Sequence, residues 1–284
     1  MIIRPMEREE LDVILDWAVG EGWNPGLTDA DVFWSTDPDG FIAAEVDGAL
    51  VGGGSIVAYG DEYGFMGLFI VRTDRRGLGL GRELWLARRD LLRDRLSPHA
   101  AIEMDGVFAM QDFYAQGGFA FQHRDLRFAG TGVAPLGGAN AVEVVDLADI
   151  PFGAVEAYDR AHFAAPRAAF LADWIDRPGG HAVGVHDDDA CRGFAVARPC
   201  RQGFKIGPLF ADDVGIAEAL FDELSARLAG EQIFLDVPEV NAAAIDLARG
   251  HDMTEVFGCA RMTLGPPPSL PYREIFGVTT FELG

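Results

Sequence analysis

The 284-residue sequence predicts an α/β protein of the mixed-sheet, α+β kind, built as two tandem domains that each hold a central, mostly antiparallel sheet flanked by helices. Three observations carry that expectation. Short β-rich runs alternate with amphipathic helical segments through both halves of the chain. A segment rich in Gly, Ala and Pro and poor in charge, residues 130–140, separates those halves and has linker composition. Beyond it the pattern restarts: the hairpin turn at Asp47-Gly48 has a counterpart centred in Asp187 to Asp189, an offset of 188 − 47 = 141 residues, which marks a duplication. The expected domains are 1–130 and 139–284. A hydrophobic content of 49% is ample for two cores.

The elements follow in order. Residues 1–5 form a short strand, and EREELDVILDWAVGEGW carries Leu11, Ile14, Leu15 and Val19 at helical spacing. A short helix is expected near Asp31 to Ser35. FIAAEV and ALVGGGSIVAY flank the Asp47-Gly48 turn, and Gly60-Asp61 leads into a third β-rich run, YGFMGLFIV. Next come a glycine loop, a helix with Leu84, Leu91 and Leu92 on one stripe, strand AIEMD, a helix in VFAMQDFYAQGGF stopped by Gly117-Gly118, and strand FQHRDLRFAG. The second half repeats this with strand AVEVVD, helices in PFGAVEAYDRAHF and PRAAFLADWID, a hairpin through HAVGVHDDDACRGFAVA, strand KIGPLF, helix VGIAEALFDELSARL, strand QIFLDV and helix NAAAIDLARG.

Composition excludes several functions. The formal charge is −22 and Lys205 is the single lysine, so nucleic acid and anionic membrane, which need a basic face, are not expected partners; an acidic field favours cationic substrates, with solubility alone as an equal reading of the same charge. No apolar run reaches the roughly 20 residues of a membrane span and the N-terminus is not a signal region, so a cytoplasmic protein is expected. Cys191, Cys200 and Cys259 have no ligand spacing and read as buried free thiols, with no metal site.

Against that acidic background the stretch VRTDRRGLGLGRELW stands out. Residues 72–95 hold eight arginines against Asp74, Glu83, Asp90 and Asp94, a local net of 8 − 4 = +4. A strand, alternating glycines and a helix start make an anion site, because bare backbone presents N–H groups and the helix N-terminus adds about half a positive charge. Guanidinium groups suit phosphate oxygens. A Walker loop would need Gly-Lys-Ser/Thr, and a dinucleotide fold would want G-x-G-x-x-G after its first strand.

The arrangement Arg76, Gly79, Gly81, with the element order of residues 1–128 and Tyr114 to Phe119 as Tyr-x-x-x-Gly-Phe, resembles the GNAT superfamily of acyl-CoA-dependent N-acyltransferases. The tandem arrangement with the ending IFGVTTFELG is similar to bacterial two-domain GNAT proteins. The resemblance implies that Arg76, Gly77, Leu78, Gly79, Leu80, Gly81 and Arg82 hold the CoA pyrophosphate, and that Leu68, Phe69, Ile70 and Val71 run along the pantetheine arm of acetyl-CoA. It places Trp23 and Asn24, in the GWNPG turn, at the acceptor site, although Trp23 suits a core anchor equally. Thr73 stands where the family often has proline, and Val107 where it often has asparagine. The second copy reads LFADDVGIAEAL at the loop position, with Asp212 and Asp213 where phosphate would sit, and Ala248 at the tyrosine position, which implies a silent duplicate.

Acyl transfer needs a neutral amine, a donor for the carbonyl oxyanion and a proton for the departing thiolate. The oxyanion donor is expected among the amides of Leu68 to Ile70. Tyr114 is the candidate acid, against a packing role beside Phe113 and Phe119. Glu103 and Asp105, two apart on AIEMD, share a face; Asp105 is the favoured base, with a solvated carboxylate as the plainer reading. The expected activity is transfer of the acetyl group of acetyl-CoA to a small primary amine, leaving CoA, by a monomer or homodimer; the alternative is a non-catalytic CoA-binding sensor.

Overall fold

The computed structural model describes residues 1–134, 142–188 and 190–284, so residues 135–140 of the expected linker and Asp189 of the second hairpin lie outside the described residues. The chain forms two compact units that are not contiguous in sequence. Unit 1 is Met1–Gln122 with Ala260–Pro268 and Phe281–Gly284; unit 2 is His123–Cys259 with Ser269–Thr280. The change of unit thus falls before residue 130, and two late segments return to unit 1. A contiguous split at 130/139 does not describe this.

Unit 1 opens with β1 (Ile2–Pro5), α1 (Arg8–Gly20) and α2 (Asp29–Thr36), followed by β2 (Phe41–Val46), β3 (Ala49–Tyr59) and β4 (Tyr63–Val71). It continues with α3 (Leu80–Arg95), β5 (Ala101–Val107) and α4 (Gln111–Gln116). The first helix starts at a capping box between Glu7 and Glu10, and Arg4 clamps Glu10 with two bonds of 2.7 Å. It buries Leu11, Ile14, Leu15 and Ala18; Val19, expected on that stripe, is exposed. Strands pair in the order β1-β2-β3-β4-β5, antiparallel except for the parallel β4–β5 contact. The sixth place beside β5 is taken by the end of β12 (Thr254–Leu264), a strand the sequence pattern did not announce.

The stripe of α3 also departs from expectation. Leu84, Trp85, Arg88 and Leu92 face inward, while Leu91 is exposed. A cation therefore occupies a core position. The surrounding core joins Leu84, Trp85 and Leu92 to Ile56, Met66, Ile102, Met104, Tyr114 and Phe119. The helix expected through residues 107–119 is shorter: β5 runs to Val107, a 3₁₀ turn covers Phe108–Met110, and α4 spans six residues.

Unit 2 takes the chain through β6 (Ala120–Thr131), whose first three residues belong to unit 1, then β7 (Val145–Asp146), α5 (Phe152–His162), α6 (Ala168–Ile175), β8 (His181–Asp187) and β9 (Ala190–Pro199). It ends with β10 (Phe204–Ala211), α7 (Val214–Arg227), β11 (Gln232–Pro238), α8 (Ala242–Gly250), the first half of β12, and β13 (Ile275–Gly277). The strand expected at AVEVVD is only the two residues of β7 among those described. Strand order is β12-β6-β11-β10-β9-β8-β7, with β13 on β10. The core is mainly aliphatic with a few phenylalanines, built on Leu209, Leu220, Phe221, Leu224, Leu235 and Ala248. Among the described residues no helix is long and apolar enough to cross a membrane.

Candidate active site

In unit 1 the parallel pair β4–β5 is joined only at Tyr63↔Ala101, Gly64↔Ile102 and Phe65↔Glu103, after which the two strands part. On the other side of β4 the register with β3 slips between Gly53↔Ile70 and Ser55↔Gly67, two steps on β3 against three on β4. That extra residue is a bulge, which leaves a backbone position outside the ladder and re-aims it. Leu68 takes the strain, with φ of 50°. The bulge is pinned on both flanks: Gly67 N–H donates to Ser55 Oγ at 3.0 Å, and Arg88 Nη2 donates to Ser55 O at 2.5 Å and Gly67 O at 2.6 Å.

Beyond Val71 the chain makes a 3₁₀ turn at Thr73–Arg75 and reaches Gly77 and Gly79, both left-handed at φ 77° and 82°. A Cβ on either would meet nothing within 4 Å, so there is open space beside the loop at both glycines. Gly79 is the N-cap of α3; its carbonyl accepts from Arg82 N–H at 3.1 Å and Glu83 N–H at 3.3 Å, which leaves the amides of Leu80 and Gly81 without a partner within the helix. Open space, bare backbone and a helix start fit a pyrophosphate. Arg76 ties the loop down by donating from Nε to Val71 O at 2.9 Å and pairing with Glu21 beyond α1. Leu78 and Arg82 are exposed.

The eight arginines are not one cluster. Arg88 points into the core, and Arg95 reaches Asp37 at 2.8 Å and Ile56 O at 2.9 Å. Arg89 donates to Gly117 O at 3.1 Å, and Arg72 is held by Asp74. Over 16 residues α3 is about 24 Å long, so its last arginines and the open pocket by Asp94 and Pro98 lie far from the loop. The guanidinium groups near Gly77–Gly81 are those of Arg75, which lies 3.7 Å from Asp74, Arg76, which is paired with Glu21, and the exposed Arg82.

Tyr114 is 4% exposed, packed on Trp85 at 5.9 Å and Phe113 at 5.6 Å between ring centroids. It sits against β5 at Gly106, where a Cβ would lie 2.4 Å from its Cε2. Strand alternation sends Glu103 and Asp105 to the opposite face from Gly106. There Arg261 of β12 donates to both oxygens of Asp105 at 2.7 and 2.8 Å and to Glu103 at 3.4 Å. Glu103 also accepts from Tyr63 Oη and Thr263 Oγ1, both at 2.9 Å. Burial and that facing carboxylate hold the Tyr63 phenol well above its ordinary range. The shared face expected for the two carboxylates is present, and Arg261 is what gathers them. An Asp105 carboxylate engaged at both oxygens by a guanidinium is a poor proton acceptor.

Trp23 and Asn24 follow α1 in a loop where Trp23 N–H donates to Ala18 O at 3.0 Å and Asn24 is left-handed at φ 52°. Both are half-buried, and Asp29 organises the turn beneath them by accepting from Gly26 N–H at 2.7 Å. The tail also enters unit 1, a placement the sequence did not predict: Ser55 Oγ donates to Glu282 O at 3.3 Å and Tyr59 Oη to Leu283 O at 3.0 Å.

Unit 2 holds the corresponding elements without the loop. Only Asp212 and Asp213 separate β10 from α7; Asp213 caps the helix by accepting from Ile216 N–H, and Asp212 accepts from Tyr158 Oη at 2.8 Å and pairs with Arg192 at 2.7 Å. Strands β10 and β11 pair at Phe204–Ile206, but further on β10 pairs with β13 instead, at Leu209↔Gly277 and Phe210↔Ile275. Val278 N–H then donates to Asp236 O at 2.8 Å. Where β4 and β5 stop pairing after Phe65↔Glu103, the equivalent stretch of β10 takes β13 as a partner from the chain itself. Ala248 is fully buried.

Comparison with known proteins fits this geometry. Residues 8–119 match the model of the acetyltransferase (GNAT) family, and residues 155–277 match that of an acetyltransferase (GNAT) domain. A holothin acyltransferase of a Pseudoalteromonas species is 27% identical over 282 residues, covering 99% of this chain and 94% of the relative. The fold is shared with a crystal structure from Pyrococcus horikoshii described as a candidate acetyltransferase, at TM-score 0.84 and 22% identity over 100% of this chain and 95% of that one. It is also shared with a tandem GNAT protein from the clavulanic acid biosynthesis pathway, at TM-score 0.64 and 14% identity over 94% and 99%. The chain belongs to the GNAT superfamily and is an acyltransferase with two domains of that family in tandem.

Proposed function

We propose that unit 1 moves the acetyl group of acetyl-CoA to the primary amine of a small molecule by direct attack, and that unit 2 is catalytically silent. The observation that carries this reading is the conjunction along β4: a strained bulge at Leu68, a gap toward β5 beyond Phe65, and an open glycine loop at the strand's end. Acetyl-CoA supplies an activated acyl carbonyl on a thiol leaving group. The backbone of Phe69 to Val71 lies where it can bind an extended arm, and Gly77 to Gly81 with Arg76 and Arg82 bind the anionic end.

An amide at the bulge stabilises the oxygen as the amine's nitrogen bonds to the acyl carbon and the carbon–sulfur bond breaks. Tyr114 gives its proton to the departing sulfur, and the surplus proton of the new amide nitrogen passes to water. Asp105 is not assigned as base, because its oxygens are committed to Arg261. Trp23 and Asn24 are the proposed acceptor-side residues. A relative named for acylating holothin, together with a −22 chain, supports a small cationic amine as the acceptor.

The test is thiol release from acetyl-CoA across a panel of small amines, with calorimetric CoA binding alongside. Binding near one site per chain, abolished in Arg76→Glu, is expected. A stoichiometry near two, or binding that survives in Arg76→Glu, would overturn the assignment to unit 1.

A further inference from the structure

Arg88 is an ionisable group that neither the glycine loop nor the acid accounts for. It is fully buried, and among the described residues no carboxylate pairs with it. One of its nitrogens, Nη2, serves both Ser55 O and Gly67 O; Nε and Nη1 have no hydrogen-bond partner. Its guanidinium lies over the Phe69 ring at 5.4 Å and against Gly54, where a Cβ would come within 2.3 Å of Cζ. A buried charge with so few partners is costly, and a leucine on that helix stripe would be the ordinary occupant. What Arg88 touches is the bulge itself: the two carbonyls it grips belong to the residue pair that flanks the register slip. It stands one helical turn beyond Trp85, on which Tyr114 packs at 5.9 Å, and the Phe69 ring under its guanidinium stacks on Phe113 at 6.4 Å, which meets Tyr114 at 5.6 Å.

We propose that Arg88 is a positioning residue for the acyl-transfer site, which fixes the β4 bulge through Ser55 O and Gly67 O and sets a positive charge against the Tyr114 phenol. The proposal rests on the reading of unit 1 as the transferase. Burial pulls the guanidinium down to about 9, with Tyr114 the ionisable group acting against that fall, so Arg88 is charged at neutral pH. A cation beside a phenol favours its ionised form and makes it a readier proton donor. Other charges on the packed elements are committed elsewhere. Arg89 of α3 bonds Asp90 and Gly117 O, while Glu103 and Asp105 of β5 lie on the opposite face with Arg261.

The experiment compares wild type, Arg88→Met, Arg88→Lys and Tyr114→Phe. Ultraviolet titration of tyrosinate, without any CoA, isolates Tyr114 as the difference between each background and its Tyr114→Phe counterpart. In Arg88→Met the Tyr114 phenolate is expected to form about one pH unit or more higher than in wild type, and in Arg88→Lys close to wild type. Single-turnover transfer should fall about 10²-fold in Arg88→Met, with its high-pH limb displaced the same way and CoA affinity within about threefold. Should Arg88→Met not fold, Arg88→Lys decides: it keeps the charge but not the two-carbonyl grip, so its transfer rate falls while its Tyr114 titration stays put. An unchanged Tyr114 titration in Arg88→Met, or in Arg88→Lys a transfer rate that tracks only the folded fraction, would overturn the proposal. A wild type that transfers to no amine sinks the transferase reading instead, and leaves the spectroscopic result to stand alone.

Discussion

Adding one methyl group to β5 tests the role of Tyr114 without touching its hydroxyl. In Gly106→Ala the new Cβ would lie 2.4 Å from Cε2 and 2.7 Å from Cδ2 of Tyr114, whereas ordinary contact begins at 3.4 Å. The ring must retreat by 3.4 − 2.4 = 1.0 Å. Trp85 at 5.9 Å and Phe113 at 5.6 Å between centroids back the ring, so it cannot withdraw freely. Overpacking of this kind costs about 1–3 kcal/mol of stability. A displacement of that size at a reacting group costs about 10²-fold in rate. CoA affinity should hold, because the glycine loop has its own supports in Val71 O and Glu21. Tyr114→Phe is the companion: it keeps the ring and removes only the hydroxyl, and should cost about 10²–10⁴ in transfer if the phenol is the acid. The assay is single-turnover acetylation of the best amine, with thermal melting and calorimetric CoA binding. A Gly106→Ala protein whose melting temperature has dropped, showing that the methyl was felt, but which transfers within about threefold of wild type, would refute the reasoning and make Tyr114 a core residue.

Two further outcomes follow from unit 2. Asp213→Ala removes the cap on α7 and should cost about 1 kcal/mol of stability with no change in transfer, checked by melting and turnover on the same sample. The Cys191 thiol is pushed up to about 11 by burial from an ordinary 9.0. The unfolded chain then releases this proton first, so stability falls as pH rises from about 9 to 11; denaturant titrations should show a shallower alkaline fall in Cys191→Ala, and equal slopes would count against it.

The glycine loop was legible because its chemistry is local. Gly77 and Gly79 need left-handed backbone and the helix start follows at once, so the residues that fold the loop are the same ones that single it out as a candidate anion site. Tyr114 was legible for a related reason, since the α4 turn places it at a fixed distance from the glycines that end it. The loss of the second loop at Asp212 and Asp213 was likewise written in a short window, and the duplication in the repeat of the same short turn signal 141 residues on. Arg261 was invisible, because a strand 156 residues downstream of Asp105 closes the edge of unit 1, and nothing local to either residue announces the other. The same holds for β13, which fills the gap along β10, and for the tail carbonyl at Ser55.

Arg88 shows the division most clearly. By sequence it is one of eight arginines in a basic helix, and its charge counts toward an anion site. Helical periodicity assigns it a side, but whether that side carries water or core depends on Gly54 leaving room and on two carbonyls turned toward it by a bulge. Sequence by itself determined the family, the glycine loop and the place of Tyr114 in α4, because each is set by residues within a few positions of one another. Tertiary structure alone decided which charges stay near the glycine loop, which carboxylates are already paired and where β4 and β5 stop pairing. Those outcomes depend on strand pairing between distant segments, and the desolvation of a charge is a property of what surrounds it.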